Sequence, residues 1–318
     1  EYWKGHAQFL QQFLNPLLLR SLKGISFNDW YKGNLDGIKT SDLNNLLSLK
    51  DKISFNVFFS VVLLSRLDKQ NTQNPTSALK KVNKKRPLSK NAYKGLLLQL
   101  KNWIKKLKPL EKKTVWDSYS SSNTYDKEQE NKKIQVIKNF AKKIRPNLMA
   151  DIGCNDGLYS FESLKSGCKK VIGFDIDINA IDRAYNNSLK QDLNFLPLYF
   201  NATNPSTRLG WYEKERESFI DRLNFDAVIA LAFEHHLALA QNIPLEEVIS
   251  WIMNIGKNGL IEYVDKTDET VKKMLSIKGD IFPTYNQENF EKNILLNGKI
   301  LNKTILSKTR VLYEFEKN

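Results

Sequence analysis

Cysteine is scarce in this 318-residue chain: Cys154 and Cys168 are its only two. Two thiols cannot staple a disulfide scaffold, and no Cys/His spacing around them writes a metal site, so none is expected and a reducing, cytoplasmic setting suits the chain. Long hydrophobic runs are missing too. The longest, VFFSVVLLS at 57–65, falls far short of the roughly 20 residues a membrane span needs. No signal-peptide pattern opens the chain and no initiator Met begins it. The opening EYWKGHAQFLQQFL starts in mid-pattern and reads as the remnant of a longer N-terminal part. Acidic residues are scarce in one half only. Residues 1–110 carry 20 Lys and Arg against 6 Asp and Glu, whereas the rest carries 29 against 29. The whole excess of +14 therefore sits in the first third, which predicts two modules, 1–110 and 111–318, with different surfaces.

What is present divides the same way. Residues 7–66 repeat apolar positions every three or four residues, with Asn-Pro and Gly breaks, and predict helices. Residues 67–90, rich in Asn, Lys and Pro, read as a linker. Next comes YKGLLLQLKNWIKKLK, with Tyr93, Leu96, Leu97, Leu100, Trp103, Ile104 and Leu107 on one face and lysines on the other, a basic amphipathic helix. A helix over 128–144 then leads into the strand LMADI, followed by strand candidates KVIGFDI, FLPLYF, FDAVIALA and GLIEYV with helix-length segments between them. That alternation predicts an α/β domain with a parallel sheet covered on both faces. KILNKTILS and TRVLYEFE, joined by a short Lys-Thr turn, predict a closing antiparallel hairpin.

The chemistry is expected in LMADIGCNDGLYS, a strand, a glycine loop and a helix start. Gly153 permits a tight turn, Gly157 a close backbone approach, and Asn155 is the residue type that best tolerates a left-handed conformation between them. Free amides at the helix start complete a ligand cradle. Asp175 ends the next strand, 18 residues after Gly157, the spacing of a carboxylate that grips a ribose diol. A dinucleotide fits poorly. Asp151, inside the first turn, would repel a pyrophosphate and welcome an ammonium group, and the closing hairpin is not the usual end of a nicotinamide domain. S-adenosylmethionine, with an amino-acid tail, a ribose and an adenine but no phosphate, answers both points.

Residues 116–313 resemble the class I S-adenosylmethionine-dependent methyltransferases of the NoeA-type nodulation-protein family. The resemblance rests on WDSYSSSNTY, DIGCNDGLYS, GFDID, NATNPSTRLGWYEKER, ALAFEHHLAL, NIPLEEV, LIEYVDKTD, GDIFPTYNQENFE and TRVLYEF. HAQFLQQFLNPLLLRSL and DGIK resemble the region before that domain. Thr207 departs from the pattern, standing where the family has proline. The resemblance implies a Rossmann-like seven-stranded sheet with a terminal antiparallel hairpin, S-adenosyl-L-methionine as cofactor, and methyl transfer. It also implies a cofactor site: Gly153, Cys154, Asn155 and Gly157 beneath it, Asp151 near its ammonium end, Asp175 on the ribose. Ile176 would be an apolar wall, Asn201 with Ala202 would lie near the adenine, and Tyr125 and Lys133 would close over the methionine end. It names no acceptor.

Two of the three histidines, His235 and His236, are adjacent after the fourth strand. A hydroxyl acceptor needs a base, and imidazole titrates near working pH. If the strand is still extended there, adjacent side chains face opposite ways and only one can be that base. Glu262, at the end of the fifth strand, is the candidate to orient a histidine or bind a polar acceptor. Arg208, Arg216 and Arg222 precede the fourth strand and could meet an anionic acceptor, or simply face solvent. The expected acceptor is a hydroxyl on a small molecule, a sugar or a lipid-linked glycan. The basic half is either a solvated face, a surface for anionic carriers at a membrane interface, or a nucleic-acid surface. The rival readings are an RNA methyltransferase and a non-catalytic module that binds the cofactor and docks through its helical half.

Overall fold

The computed structural model describes residues 5–73, 89–110 and 127–318. The chain forms two units: Glu1–Lys112 with Thr207–Glu217, and Lys113–Ser206 with Ser218–Asn318.

The first unit is helical. Its core is Leu10, Leu14, Leu18, Leu19, Ile38, Leu43, Leu47, Val57, Val61 and Leu100. Contrary to the break expected from the sequence, the Asn15–Pro16 pair does not interrupt the first helix. A π-helical turn over Leu10–Leu14 runs directly into the helix Asn15–Lys23, so the missing Pro16 N–H falls where the hydrogen-bond pattern is already changing. Asn15 is fully buried, and its Nδ2 donates to Ile38 O at 2.9 Å and Thr40 Oγ1 at 3.1 Å. The basic amphipathic helix forms over Lys90–Ile104. Its stripe turns inward: Leu100 is buried, and Leu96, Trp103, Ile104 and Leu107 pack on the same core. Much of the apolar face expected at a membrane interface is thus covered by the unit itself.

The second unit is built on a seven-stranded sheet: β1 (Met149–Ile152), β2 (Val171–Asp175), β3 (Phe195–Tyr199), β4 (Phe225–Ala230), β5 (Gly256–Val264), β6 (Gly298–Ser307) and β7 (Arg310–Lys317). The spatial order is β3-β2-β1-β4-β5-β7-β6. β1 to β5 run parallel, and β7 runs antiparallel between β5 and β6. Central strands β1 and β4 are nearly continuous apolar runs because both their faces are covered. Pro197, which has no N–H to donate, is confined to edge strand β3. Helices Lys127–Ile144, Leu158–Lys165, Ile178–Gln191 and Leu245–Ile255 connect or flank the strands.

From β1 the chain steps one way to β2 and later the other way to β4. Strand order reverses there, and the loops leaving β1 and β4 diverge around a crevice at the sheet's carboxyl edge, where open α/β sheets take ligands.

Candidate active site

The loop after β1 is tied down by its neighbour strand. The amides of Gly153 and Cys154 both donate to Phe174 O, at 2.8 and 3.1 Å. Gly153 (φ 79°), Asn155 (φ 46°) and Gly157 (φ 92°) are left-handed, which two glycines and an asparagine adopt at low cost. Gly157 is the N-cap of helix Leu158–Lys165, so the helix opens directly off the loop. Asp175 completes the clamp. Its Oδ2 accepts from Asn155 N at 2.9 Å and its Oδ1 from Asp177 N at 2.8 Å. Burial raises its pKa against the pull of those amides.

A cavity of about 400 Å³, within the range of small-molecule sites, opens against this loop and Asp175. Gly153, Cys154, Asn155, Asp175, Ile176, Asn201, Ala202, Lys133 and His236 all form its wall. Asn201 does two things there: it lines the cavity, and its Oδ1 accepts from Thr203 N at 3.0 Å and Thr203 Oγ1 at 2.7 Å, an Asx turn.

Four expected site residues stand back from the wall. Gly157 shapes the loop from behind. Asp151 is buried beneath the loop, where Ser160 Oγ donates to its Oδ2 at 2.6 Å. Burial first, and then the nearby Asp175, push its carboxyl up to about 7, against the Ser160 hydrogen bond and Lys133. Glu262 is fully buried in β5. Its Oε2 lies 2.6 Å from Lys133 Nζ and its Oε1 3.2 Å from Arg310 Nη1. Its carboxylate is committed to two cations and not to the cavity, which corrects the expectation of an acceptor-side acid. His235 is the fourth. Tyr125 lies outside the described residues.

The histidines are not on an extended strand. β4 ends at Ala230, and His235 already has helical angles (φ −66°, ψ −25°) at the start of a π-helical turn, His236–Ala240. The two rings therefore lie together, 4.2 Å between centroids and 38° apart, rather than on opposite faces. They remain distinct. His235 is fully buried, with Nδ1 3.4 Å from Glu234 Oε2. His236 lines the cavity, and burial, then His235 and Arg310, hold its pKa well below the ordinary 6.5. Glu234 in turn accepts from Val264 N at 3.1 Å and Tyr285 OH at 2.8 Å. Among the described residues no cluster of His, Cys, Asp and Glu is arranged to hold a metal ion.

Sequence reasoning missed several wall residues, among them Glu130, Tyr159, Phe200, Ala232, Phe233 and Gln241. Glu130 was within reach, being one helical turn from Lys133 on helix Lys127–Ile144. Tyr159 sits under Lys133, whose Nζ is 4.7 Å from the ring centroid. Ala232 is left-handed (φ 51°) without being glycine, and nothing in the sequence signals it.

No protein-family model matches the chain. Over 320 aligned residues it is 42% identical to nodulation protein NoeA of Rhizobium meliloti (strain 1021), covering all of this chain and 67% of that protein. The chain belongs to the NoeA family. The sheet of this NoeA-family chain, with β7 reversed between β5 and β6, has the closing antiparallel pair and the seven strands expected from the sequence. A tRNA U34 carboxymethyltransferase of Campylobacter jejuni (serotype O:6) is 26% identical over 178 residues, 54% of this chain and 50% of that protein. Among solved structures, magnesium protoporphyrin IX methyltransferase from Synechocystis PCC 6803, with S-adenosylhomocysteine bound, is 13% identical at a TM-score of 0.44, covering 70% of this chain and 95% of that one.

Proposed function

We propose that this chain methylates a hydroxyl group, with the cofactor held along the β1 and β2 edges and His236 as the base. The observation that carries the reading is that Asp175, the 153–155 loop and His236 line one cavity. The donor set suits a sulfonium nucleoside. Asp175 keeps acceptor capacity for a diol after receiving two amides, Ile176 and Ala202 give apolar wall to an adenine, and Asn201 gives it a polar edge. The buried acid behind the loop and the absence of phosphate-binding cations among the loop residues favour a cationic over a pyrophosphate ligand.

When bound, S-adenosylmethionine supplies an electrophilic methyl on sulfur and leaves as a neutral thioether. The chain's share is alignment and proton removal. His236, kept neutral by its surroundings, offers an imidazole lone pair for the acceptor's hydroxyl proton. His235 and Glu234 hold its neighbour position from the protein side. A sugar or glycan hydroxyl is the acceptor class we favour. Calorimetry with S-adenosylmethionine tests the first half, and the absence of saturable binding would end the reading. Methyl-labelled cofactor offered with fractionated cell extract tests the second, by which fraction gains label.

A second reading, an RNA acceptor, draws on the similarity to tRNA U34 carboxymethyltransferases and on the basic first 110 residues. It predicts RNA affinity that falls steeply with salt. A protein that ignores RNA at physiological salt excludes it.

A further inference from the structure

The GWYEKER block is not used by the cofactor cavity. It forms a small hairpin, Thr207–Glu217, that belongs by its contacts to the helical unit. Leu209 and Arg216 pair in both directions, N to O at 3.0 and 3.1 Å. Arg216 anchors it: its guanidinium donates to the carbonyls of Tyr31 (2.5 Å) and Lys32 (3.3 Å), at the C-terminal turn of helix Asn28–Gly33, where a cation is favourable. Glycine suits position 210 (φ 87°), since a Cβ there would be strained and would overlap the Glu215 side chain down to its Cβ.

The tip is unusual in two independent ways. Tyr212 (φ 56°) and Glu213 (φ 57°) are consecutive left-handed residues closed by Lys214 N to Trp211 O at 3.3 Å. Such a turn is at ease with Asn-Gly and strained with Tyr-Glu. The strain secures no burial. Trp211 is 85% exposed and Tyr212 77%, so two large rings are held in solvent by a braced, strained turn. Lys214 Nζ lies 4.6 Å from the Tyr212 ring centroid.

Charge decides what could cover these rings. Arg208, Lys214 and Arg216 are matched by Glu213, Glu215 and Glu217, so the rings sit among charges of both signs with no excess within the hairpin itself. Two rings amid alternating acids and bases suit a ligand with an apolar face and a polar rim. A neutral pyranose is such a ligand: its C–H face stacks on an aromatic ring while its hydroxyls meet carboxylates and cations at the edge. We propose that Trp211 and Tyr212 form a stacking platform for a neutral oligosaccharide. Neither ring lines the cofactor cavity, and the platform is tested without cofactor, so its failure leaves the methyl-transfer reading standing.

The experiment titrates the whole chain with chitohexaose, maltohexaose and polyuridylate by calorimetry. Wild type is expected to bind at least one neutral oligosaccharide saturably, and Trp211→Ala and Tyr212→Ala each to weaken that binding by about tenfold or more. The double variant Tyr212→Asn, Glu213→Gly separates presentation from folding: its melting temperature should not fall, while its affinity should. No binding of either oligosaccharide, undiminished binding by Trp211→Ala, or binding of polyuridylate alone would each overturn the proposal.

Discussion

Lys133 Nζ lies 2.6 Å from Glu262 Oε2, and both side chains are buried, at 1% and 0% exposure. The pair joins helix Lys127–Ile144 to β5 and extends through Arg310 to Asp268, 2.9 Å from Arg310 Nε. Burial lowers the Lys133 pKa more than Glu262 raises it. At Glu262, burial is outweighed by Lys133 and Arg310, and the carboxyl stays below its usual range. Glu262→Gln removes the buried carboxylate that both Lys133 Nζ and Arg310 Nη1 contact and should cost about 3–5 kcal/mol. Lys133→Met should cost less, because Glu262 keeps Arg310 and Arg310 keeps Asp268. Urea unfolding of both variants checks the order; equal losses would mean Arg310 is not part of the same network.

Asp151 predicts a pH dependence. Its folded pKa, about 7, stands above the ordinary 3.8, so the native state holds this proton more tightly than the unfolded chain. The resulting stabilisation is complete below pH 3.8 and is lost as pH rises towards 7 and through it. Asp151→Asn should flatten that slope and be the more stable protein above pH 7. A cationic ligand favours the ionised carboxylate, so cofactor binding should release a proton and tighten as pH rises through about 7. Calorimetry in two buffers of different ionisation enthalpy measures the proton directly.

The sheet was legible because its signals are local. β1 and β4 are short apolar runs, β6 and β7 flank the expected Lys308–Thr309 turn, and NATNPS announces the Asx turn that Asn201 makes with Thr203. What the sequence hid depends on partners far along the chain. Glu262 reads as a strand-end acid, but its partner Lys133 lies 129 residues away, and no periodicity reveals that pairing. The opposite-face expectation for the histidines holds only for an extended backbone. Four residues after β4 the backbone is helical, which turns the rings towards each other. At Asn15–Pro16, helix-breaking chemistry lost to tertiary burial on the Leu14, Leu18 and Leu19 core.

Asp175 holds the loop as well as the proposed ribose, so its removal should show in two readouts. Asp175→Ala deprives the Asn155 and Asp177 amides of their acceptor and takes the carboxylate from the cavity. Cofactor affinity should fall about 10- to 100-fold, roughly 1.4–2.8 kcal/mol. Amide exchange at Asn155 should quicken in the absence of any ligand. Unchanged exchange with weakened binding would assign Asp175 to the ligand alone.

His235 and His236 should separate by what each variant changes. His236 faces the cavity, so His236→Asn should lower kcat by about 10²- to 10⁴-fold while leaving the cofactor Kd near wild type. His235 has no cavity surface, and its Nε2 is buried with no hydrogen-bond partner. Its ring beside His236 is one of the causes that hold the His236 pKa low; burial comes before it and Arg310 after. In wild type the acid limb of the rate profile should therefore lie well below pH 6.5. His235→Asn should move that limb upward with a modest loss of kcat, because His236 then accepts a proton more readily. The ¹³C-resolved titration of His236 reads the same shift without any acceptor. A limb that stays in place in His235→Asn would reduce His235 to packing, and full turnover in His236→Asn would remove the base from the mechanism.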